Sequence, residues 1–309
     1  MADDIPFDRD FDVPPGRVDR VAPNVRRILA PNPGPFTFTG TCTYIVGEGE
    51  VAILDPGPDD RAHIDAVLGA VNGEKVAHVF VTHTHRDHSP ASAAVVAKTG
   101  AKVFAEGPHR AARPMQLGEK SRLDASADLD FRPDVRLKDG EIVEGKGYTL
   151  EAVTTPGHTV NHLALALRGS DILFSGDHVM AWSTSIVAPP DGAMGDYMAS
   201  LKKLEKRPER LYFPGHGPPV RNAHAFVDRY IAHRDAREMA ILRTLERGEA
   251  DIPALVRAVY IGLDPRLTAA AGLMTLAQLE DLVERGIVTT DGGAPSLISR
   301  FRLAYSTLA

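Results

Sequence analysis

The chain has 309 residues, enough for one large domain or one domain with a small appendage. A formal net charge of −6 argues against a dedicated polyanion binder, and the single cysteine, Cys42, excludes an intramolecular disulfide and any zinc site built from four cysteines. A metal, if present, must be held by nitrogen and oxygen.

The first residues, Met1-Ala2-Asp3-Asp4-Ile5-Pro6, are acidic and proline-broken and lack the basic and apolar regions of a secretory signal. No stretch approaches the roughly 18 consecutive apolar residues of a membrane span. The expectation is a cytoplasmic enzyme with no membrane partner. Residues 1–35 are rich in Pro and Asp and read as an arm, with 1–20 its outer part, leading into the first strands. Thr41 to Val46 and Val51 to Leu54 read as a hairpin around Gly47 and Gly49, and Asp55-Pro56-Gly57-Pro58 stops the second strand. Ile64, Val67, Leu68 and Val71 recur at helical spacing.

Val76 to Val81 reads as a buried strand, and at its C-terminal edge stands Thr82-His83-Thr84-His85-Arg86-Asp87-His88-Ser89. Imidazole and carboxylate are ligands that Zn²⁺, Fe²⁺ and Mn²⁺ accept, and packing alone gives no reason to crowd His83, His85, Asp87 and His88 on one turn. A helix near Pro90 to Thr99 and a strand at Lys102 to Ala105 continue the alternation. Strands near Leu150 to Val153, Leu163 to Leu167, Ile172 to Phe174 and Leu211 to Phe213, with a helix at about Asp196 to Lys206, form a second mixed half. Two β/α halves suggest two sheets packed face to face with helices outside.

Three further candidate ligands end strand-like runs beside glycine: His158 in Thr155-Pro156-Gly157-His158-Thr159, Asp177 in Ser175-Gly176-Asp177-His178, and His216 in Pro214-Gly215-His216-Gly217. Glycine lets the backbone turn sharply and pass close to a metal. From about Asn222 the pattern becomes helical, from His224 towards Arg247, then Ile252 to Tyr260 and Arg266 to Arg285. A strand pair closes the chain at Gly286 to Thr290 and Leu297 to Leu303. Three helices and a hairpin outline a winged helix. Residues 222–309 carry ten Arg, no Lys and eleven Asp plus Glu, too near neutrality for a DNA-reading module. Packing or association with a second copy of the chain is the preferred reading of this segment.

The ordered set His-x-His-x-Asp-His, then a lone His, a lone Asp and a lone His resembles the metallo-β-lactamase superfamily over roughly residues 20–220. The resemblance implies a four-layer αβ/βα sandwich of the α/β (α+β) class, with residues 1–221 catalytic and 222–309 a small winged-helix-like domain. It implies that His83, His85 and His158 hold one metal, that Asp87, His88 and His216 hold a second, and that Asp177 bridges them. Two Zn²⁺ are the expected cofactors, with Fe or Mn as substitutes. Five neutral imidazoles and two carboxylates leave such a pair cationic, able to lower the pKa of a bridging water and yield hydroxide as nucleophile. Asp87 would orient that water and is the expected catalytic residue. Asp177 stands where zinc β-lactamases of the largest class carry cysteine, which disfavours an antibiotic-resistance role.

Asn32-Pro33-Gly34-Pro35, Trp182-Ser183-Thr184 and Pro214-Gly215-His216-Gly217-Pro218-Pro219 are similar to the lactamase-beta-2-like branch, which includes an animal member that cleaves single-stranded RNA. Cys42 departs from that branch, where asparagine is expected, and the change bears on hydrogen bonding in an early strand. Asp55 reads as a hydrogen-bond acceptor behind the ligands; His162 as core or ligand support; His178 and Trp182 as packing residues or substrate-loop candidates. His63, His78, His109, His224 and His233 have no supporting context. The leading expectation is hydrolysis of an ester, thioester or phosphodiester in a small molecule or single-stranded RNA. Alternatives are a mononuclear iron persulfide dioxygenase and a winged-helix nucleic-acid-binding protein with a vestigial metal site.

Overall fold

The computed structural model describes residues 5–116 and 127–304, so the outermost residues of both expected domains lie outside the described residues. The first sheet runs, in spatial order, through β1 (Val18–Ala22), β2 (Val25–Leu29), β3 (Cys42–Glu48), β4 (Glu50–Leu54), β5 (Lys75–Phe80), β6 (Lys102–Ala105) and β7 (Val135–Arg136). Pairing is antiparallel up to β4 and parallel from β4 to β7. Helix α1 (Arg61–Ala70) joins β4 to β5 and α2 (Ala91–Thr99) joins β5 to β6, the crossovers that parallel neighbours require. The second sheet has the order β13 (Val220–Arg221), β12 (Leu211–Pro214), β11 (Ile172–Gly176), β10 (Leu163–Leu167), β9 (Tyr148–Thr154), β8 (Ile142–Gly145), with α3 (Met194–Glu205) between β11 and β12.

Alternation along the strands builds three apolar layers. Tyr44, Val46, Ala52, Leu54 and Phe80 face Leu150, Leu163, Leu165, Phe174 and Phe213 across the space between the sheets. The residues between them in sequence, Ile45, Val51, Ile53 and Val79, face outward onto Val67 and Val71 of the first helical layer and Val95 of α2. On the far side Val153, Ala164, Leu173 and Tyr212 meet Tyr197, Leu201 and Leu204 of α3, and Phe226, Val227 and Tyr230 of α4 (Ala223–Leu245). The result is the four-layer αβ/βα sandwich expected from the sequence.

Residues read as an arm are partly structured: β1 and β2 occupy 18–29, at the edge of the first sheet. Their arginines hid them. Arg27 is buried, lying 3.3 Å from Asp19 Oδ2 with its guanidinium 4.5 Å from the centre of the Phe11 ring. Strand composition there is polar because charges are neutralised in place rather than excluded.

Helix α4 leaves the second outer layer and contributes Ile241 and Leu245 to a separate apolar cluster. That cluster also takes in α5 (Ile252–Val259), α6 (Thr268–Glu284) and a small sheet ordered β14 (Ala250–Asp251), β16 (Arg300–Leu303), β15 (Val288–Thr290). Asp251 caps α5 by accepting from the Ala254 amide at 2.8 Å. These helices pack on the sandwich through α3 against both α4 and α6.

The sheets are tied together at the edge where the strands end. The Cys42 amide donates to the Gly215 carbonyl at 2.8 Å, the Leu163 amide to the Thr82 carbonyl at 2.8 Å, and Tyr44 Oη to the Pro214 carbonyl at 2.8 Å. Glycine is required where these turns crowd: at Gly157 (φ 135°) a Cβ would lie 2.3 Å from Tyr197 Cα. Gly157→Ala should therefore lower stability by about 1–3 kcal/mol through overpacking and backbone strain. Urea unfolding measures this, and an unchanged midpoint would contradict the packing described.

Candidate metal centre

Strand ends deliver all seven expected ligands to one cleft between the sheets. The turn after β5 brings His83, His85, Asp87 and His88; the turns after β9, β11 and β12 bring His158, Asp177 and His216. Ligand-capable atoms fall into two groups: His83, His85, His158 and Asp177, and Asp87, His88 and His216.

In the first group His85 Nδ1 lies 3.0 Å from His83 Nε2 and 3.1 Å from His158 Nε2. Asp177 Oδ2 is 3.9 Å from His83 Nε2 and 3.8 Å from His158 Nε2. In the second group His216 Nε2 lies 3.2 Å from Asp87 Oδ2 and 3.3 Å from His88 Nε2. Asp177 faces this group too, Oδ2 at 3.3 Å from His216 Nε2 and Oδ1 at 3.5 Å from His88 Nε2. Ligands about 2.0–2.1 Å from a tetrahedral ion stand about 3.3 Å apart, so both groups have the spacing of atoms around a shared centre. Asp177 Oδ1 is buried with no hydrogen bond of its own. Nitrogen and oxygen donors, a doubly facing carboxylate and an orphaned buried oxygen fit a pair of divalent cations.

A second layer fixes the rings. Asp55, at the end of β4 with φ 48°, accepts from the Thr82 amide at 2.7 Å and Thr82 Oγ1 at 2.8 Å, and meets His88 Nδ1 at 2.9 Å. The strained backbone at Asp55 is thus held by three contacts to the ligand turn. His158 Nδ1 donates to the Ile186 carbonyl at 2.6 Å and His216 Nδ1 faces the Gly40 carbonyl at 3.2 Å, leaving each Nε2 to the centre. Gly215 has no room for a side chain: a Cβ would stand 2.4 Å from Asp177 Oδ1.

His162 lies behind Asp177, where its Nε2 accepts from the Asp177 amide at 3.1 Å. His178 turns towards Tyr197 and His162, with ring centres 4.4 and 5.7 Å away, and is buried. Trp182 stacks on Phe38 at 4.9 Å beside the centre. Arg86 is exposed and donates to the Ala127 carbonyl. Cys42 packs its sulfur 4.0 Å from the Gly217 carbonyl, in the buried position where asparagine was expected.

Sequence reasoning missed Asp191 and His109. Asp191 is buried, with Oδ2 at 3.9 Å from His85 Nε2 and Oδ1 at 3.0 Å from His109 Nε2. His109 continues to Thr84 Oγ1 at 3.1 Å, which accepts from Asn161 Nδ2 at 2.9 Å. The available signal was an acid directly after Pro189-Pro190, downstream of the Trp182 loop.

The two groups differ in charge. Burial, with the neighbouring imidazoles, pushes His83 well below its ordinary value and His158 down to about 4. Burial acts the same way on His88 and His216, yet the carboxylates around them win: Asp87, Asp177 and Asp55 hold His88 well up, and Asp177 and Asp87 hold His216 at about 9. Asp87 and Asp177 are correspondingly held well down, the imidazoliums outweighing burial. In the metal-free protein, the His216 pairing contributes stability that is full below the ordinary 6.5 and lost as pH rises through about 9. Cation binding runs in the opposite sense, because it must displace that proton. At pH 7 the first group should take Zn²⁺ with little proton release, while filling the second should release about one to two protons. Titration calorimetry in buffers of different ionisation enthalpy measures this; equal proton release at both steps would contradict the charge assignment.

The family model for the metallo-beta-lactamase superfamily matches residues 36–216. The beta-lactamase-like protein 2 homolog of Caenorhabditis elegans is 32% identical over 237 residues, covering 75% of this chain and 74% of that protein. The atrochrysone carboxyl ACP thioesterase AgnL7 of Paecilomyces divaricatus is 32% identical over 233 residues, covering 74% of this chain and 67% of that protein. A metallo-beta-lactamase family protein from Thermus thermophilus superposes with a TM-score of 0.73 at 25% identity, covering 92% of this chain and all of that one. A family match across more than half of the chain, relatives alike over three quarters of it, and one shared fold lead to a single conclusion: the chain belongs to the metallo-beta-lactamase superfamily.

Proposed function

We propose that the chain is a thioester hydrolase working with two divalent cations, zinc in the resting protein. The observation that carries the reading is the Asp177 carboxylate facing both imidazole groups, 3.8 Å from His158 Nε2 on one side and 3.3 Å from His216 Nε2 on the other. His83, His85 and His158 would hold one ion, Asp87, His88 and His216 the other, with Asp177 between. Bound there, the pair supplies Lewis acidity for the scissile carbonyl and a water acidic enough to act as nucleophile near neutral pH.

The chain's own groups define the rest. Asp87 has a quarter of its side chain exposed against 8% for Asp177, so Asp87 is the carboxylate positioned to accept a hydrogen bond from an incoming water. Asp55, the Ile186 carbonyl and the Gly40 carbonyl keep His88, His158 and His216 oriented, with no reorganisation needed during turnover.

The leaving group distinguishes the esters. His178, held down to about 3 by burial, turns towards Tyr197 and is not placed to protonate a leaving group. A thiol of pKa about 8.5 leaves as thiolate without a donor, whereas an alkoxide does not. A relative named as an ACP thioesterase supports the same bond. Residues 222–309 would form a winged-helix-like appendage to a catalytic unit of residues 1–221, with packing or self-association as its role. A cytoplasmic setting belongs to this reading. Among the described residues no helix is long and apolar enough to cross a membrane.

Purified protein should carry two zinc ions per chain and release thiol from acyl thioesters without consuming oxygen. His83→Ala and Asp177→Ala should each lower kcat by at least about a thousandfold, the scale of losing several kcal/mol of charge stabilisation. Elemental analysis, thiol release and an oxygen electrode check this together. One iron per chain with oxygen uptake would overturn it in favour of the dioxygenase.

A further inference from the structure

A cavity of about 390 Å³ opens beside the centre, within the range of small-molecule sites. Phe38, Trp182 and Ile186 form its wall on the sandwich side, and Leu263 and Leu267 of the α5–α6 connection and Met274 of α6 face them. None of the seven candidate ligands lines this cavity, but its wall is built from residues that touch them or their neighbours. Ile186 is the residue whose carbonyl holds His158, and Trp182 lies against Gly217, next to His216, so closely that a Cβ there would stand 2.8 Å from Trp182 Cδ1. The stacked Phe38 and Trp182 rings, 12° from coplanar, make that wall flat.

The cavity is apolar but carries cations. Arg237 of α4 lines it, donating to the Val259 carbonyl and lying 4.5 Å over the Tyr260 ring. Arg9 lines it from the N-terminal side, donating to the Trp182 carbonyl at 3.3 Å. Neither arginine forms an ion pair among the described residues, whereas Arg207 and Arg285, elsewhere on the surface, do. His233, one turn before Arg237, also lines the cavity and is kept neutral by burial, down to about 4. A half-buried guanidinium held by a carbonyl and a ring, with no carboxylate opposite, is complementary to an anion brought by a ligand.

We infer that this cavity is the acyl subsite, that the C-terminal helices form half of it, and that it selects an apolar acyl group carrying a remote carboxylate, paired by Arg237 with Arg9 near the mouth. The inference rests on the thioesterase reading for its substrate class. The flat Phe38–Trp182 wall and Leu263, Leu267 and Met274 opposite suit an alkyl chain better than amide-rich pantetheine, so it is the acyl group that enters, whether the thiol belongs to coenzyme A or a carrier protein.

The test uses N-acetylcysteamine thioesters, which remove the carrier from the comparison: acetyl, octanoyl and the octanoyl analogue ending in a carboxylate. The full-length wild type should prefer octanoyl to acetyl, and the carboxylated chain to octanoyl, by about tenfold or more each in kcat/KM. Arg237→Gln should reduce the carboxylate preference about tenfold, and Met274→Trp should reduce the chain-length preference by filling the cavity. Trp182 is the only tryptophan, so its fluorescence reports occupancy independently of turnover. Suberic acid, the acid released from the carboxylated thioester, should change that fluorescence saturably and bind at least tenfold more weakly to Arg237→Gln. Saturable binding of suberate with no thioester hydrolysed would sink the proposed function while sustaining the subsite. Hydrolysis with neither chain-length nor carboxylate preference, and no Trp182 response, would overturn the subsite while leaving the function standing.

Discussion

One buried carboxylate is the constraint on which the site depends. Asp177 stands between two sets of imidazoles, its Oδ1 without a hydrogen bond and its Oδ2 facing both sides. An ionised carboxylate removed from water is costly unless positive charge meets it. In the metal-free protein, imidazoliums at His88 and His216 supply that charge; on the proposed reading, two cations replace them. The surrounding sandwich is arranged to make this crowding possible. Four strands end at one edge, glycines at 157, 176 and 215 let the backbone turn there, and the two sheets are bonded across that edge through Cys42, Tyr44 and Leu163.

The asymmetry between the two groups follows from where the carboxylates lie. His83, His85 and His158 have only the Asp177 carboxylate close by among the ligands, and burial leaves His83 and His158 neutral and ready to bind. His88 is enclosed by Asp55, Asp87 and Asp177, and His216 by Asp87 and Asp177, so protons compete there. On the proposed reading such a centre fills in order, and its second position is sensitive to pH because of three named aspartates.

The grouping of the candidate ligands was legible in the sequence because they sit on turns with a local signature: an apolar run, a glycine and a ligand-capable side chain. The same logic gave the hairpin around Gly49 and both sheets' central strands, whose apolar residues face layers on both sides. What was hidden depends on contacts between distant segments. The edge strands 18–29 look like an arm because Arg27 is neutralised by Asp19 and covered by Phe11 only after folding. Asp191 and His109 are brought to His85 by two loops with no shared motif. The cavity wall formed by Arg237, Tyr260 and Met274 exists only once the C-terminal helices close over the Trp182 loop. His178 is adjacent to the bridge in sequence, yet its ring turns towards Tyr197, as alternation on a strand end dictates.

The central claim is that Asp177 bridges two cations, and an anomalous difference map from crystals grown with zinc and measured at the zinc edge tests it most directly. The account predicts two peaks, one about 2.0–2.2 Å from the ligand atoms of His83, His85 and His158, the other equally close to those of Asp87, His88 and His216, with Asp177 within bonding distance of both. A single peak at the first group, with Asp87, His88 and His216 still paired to one another under zinc excess at pH 9, would contradict it.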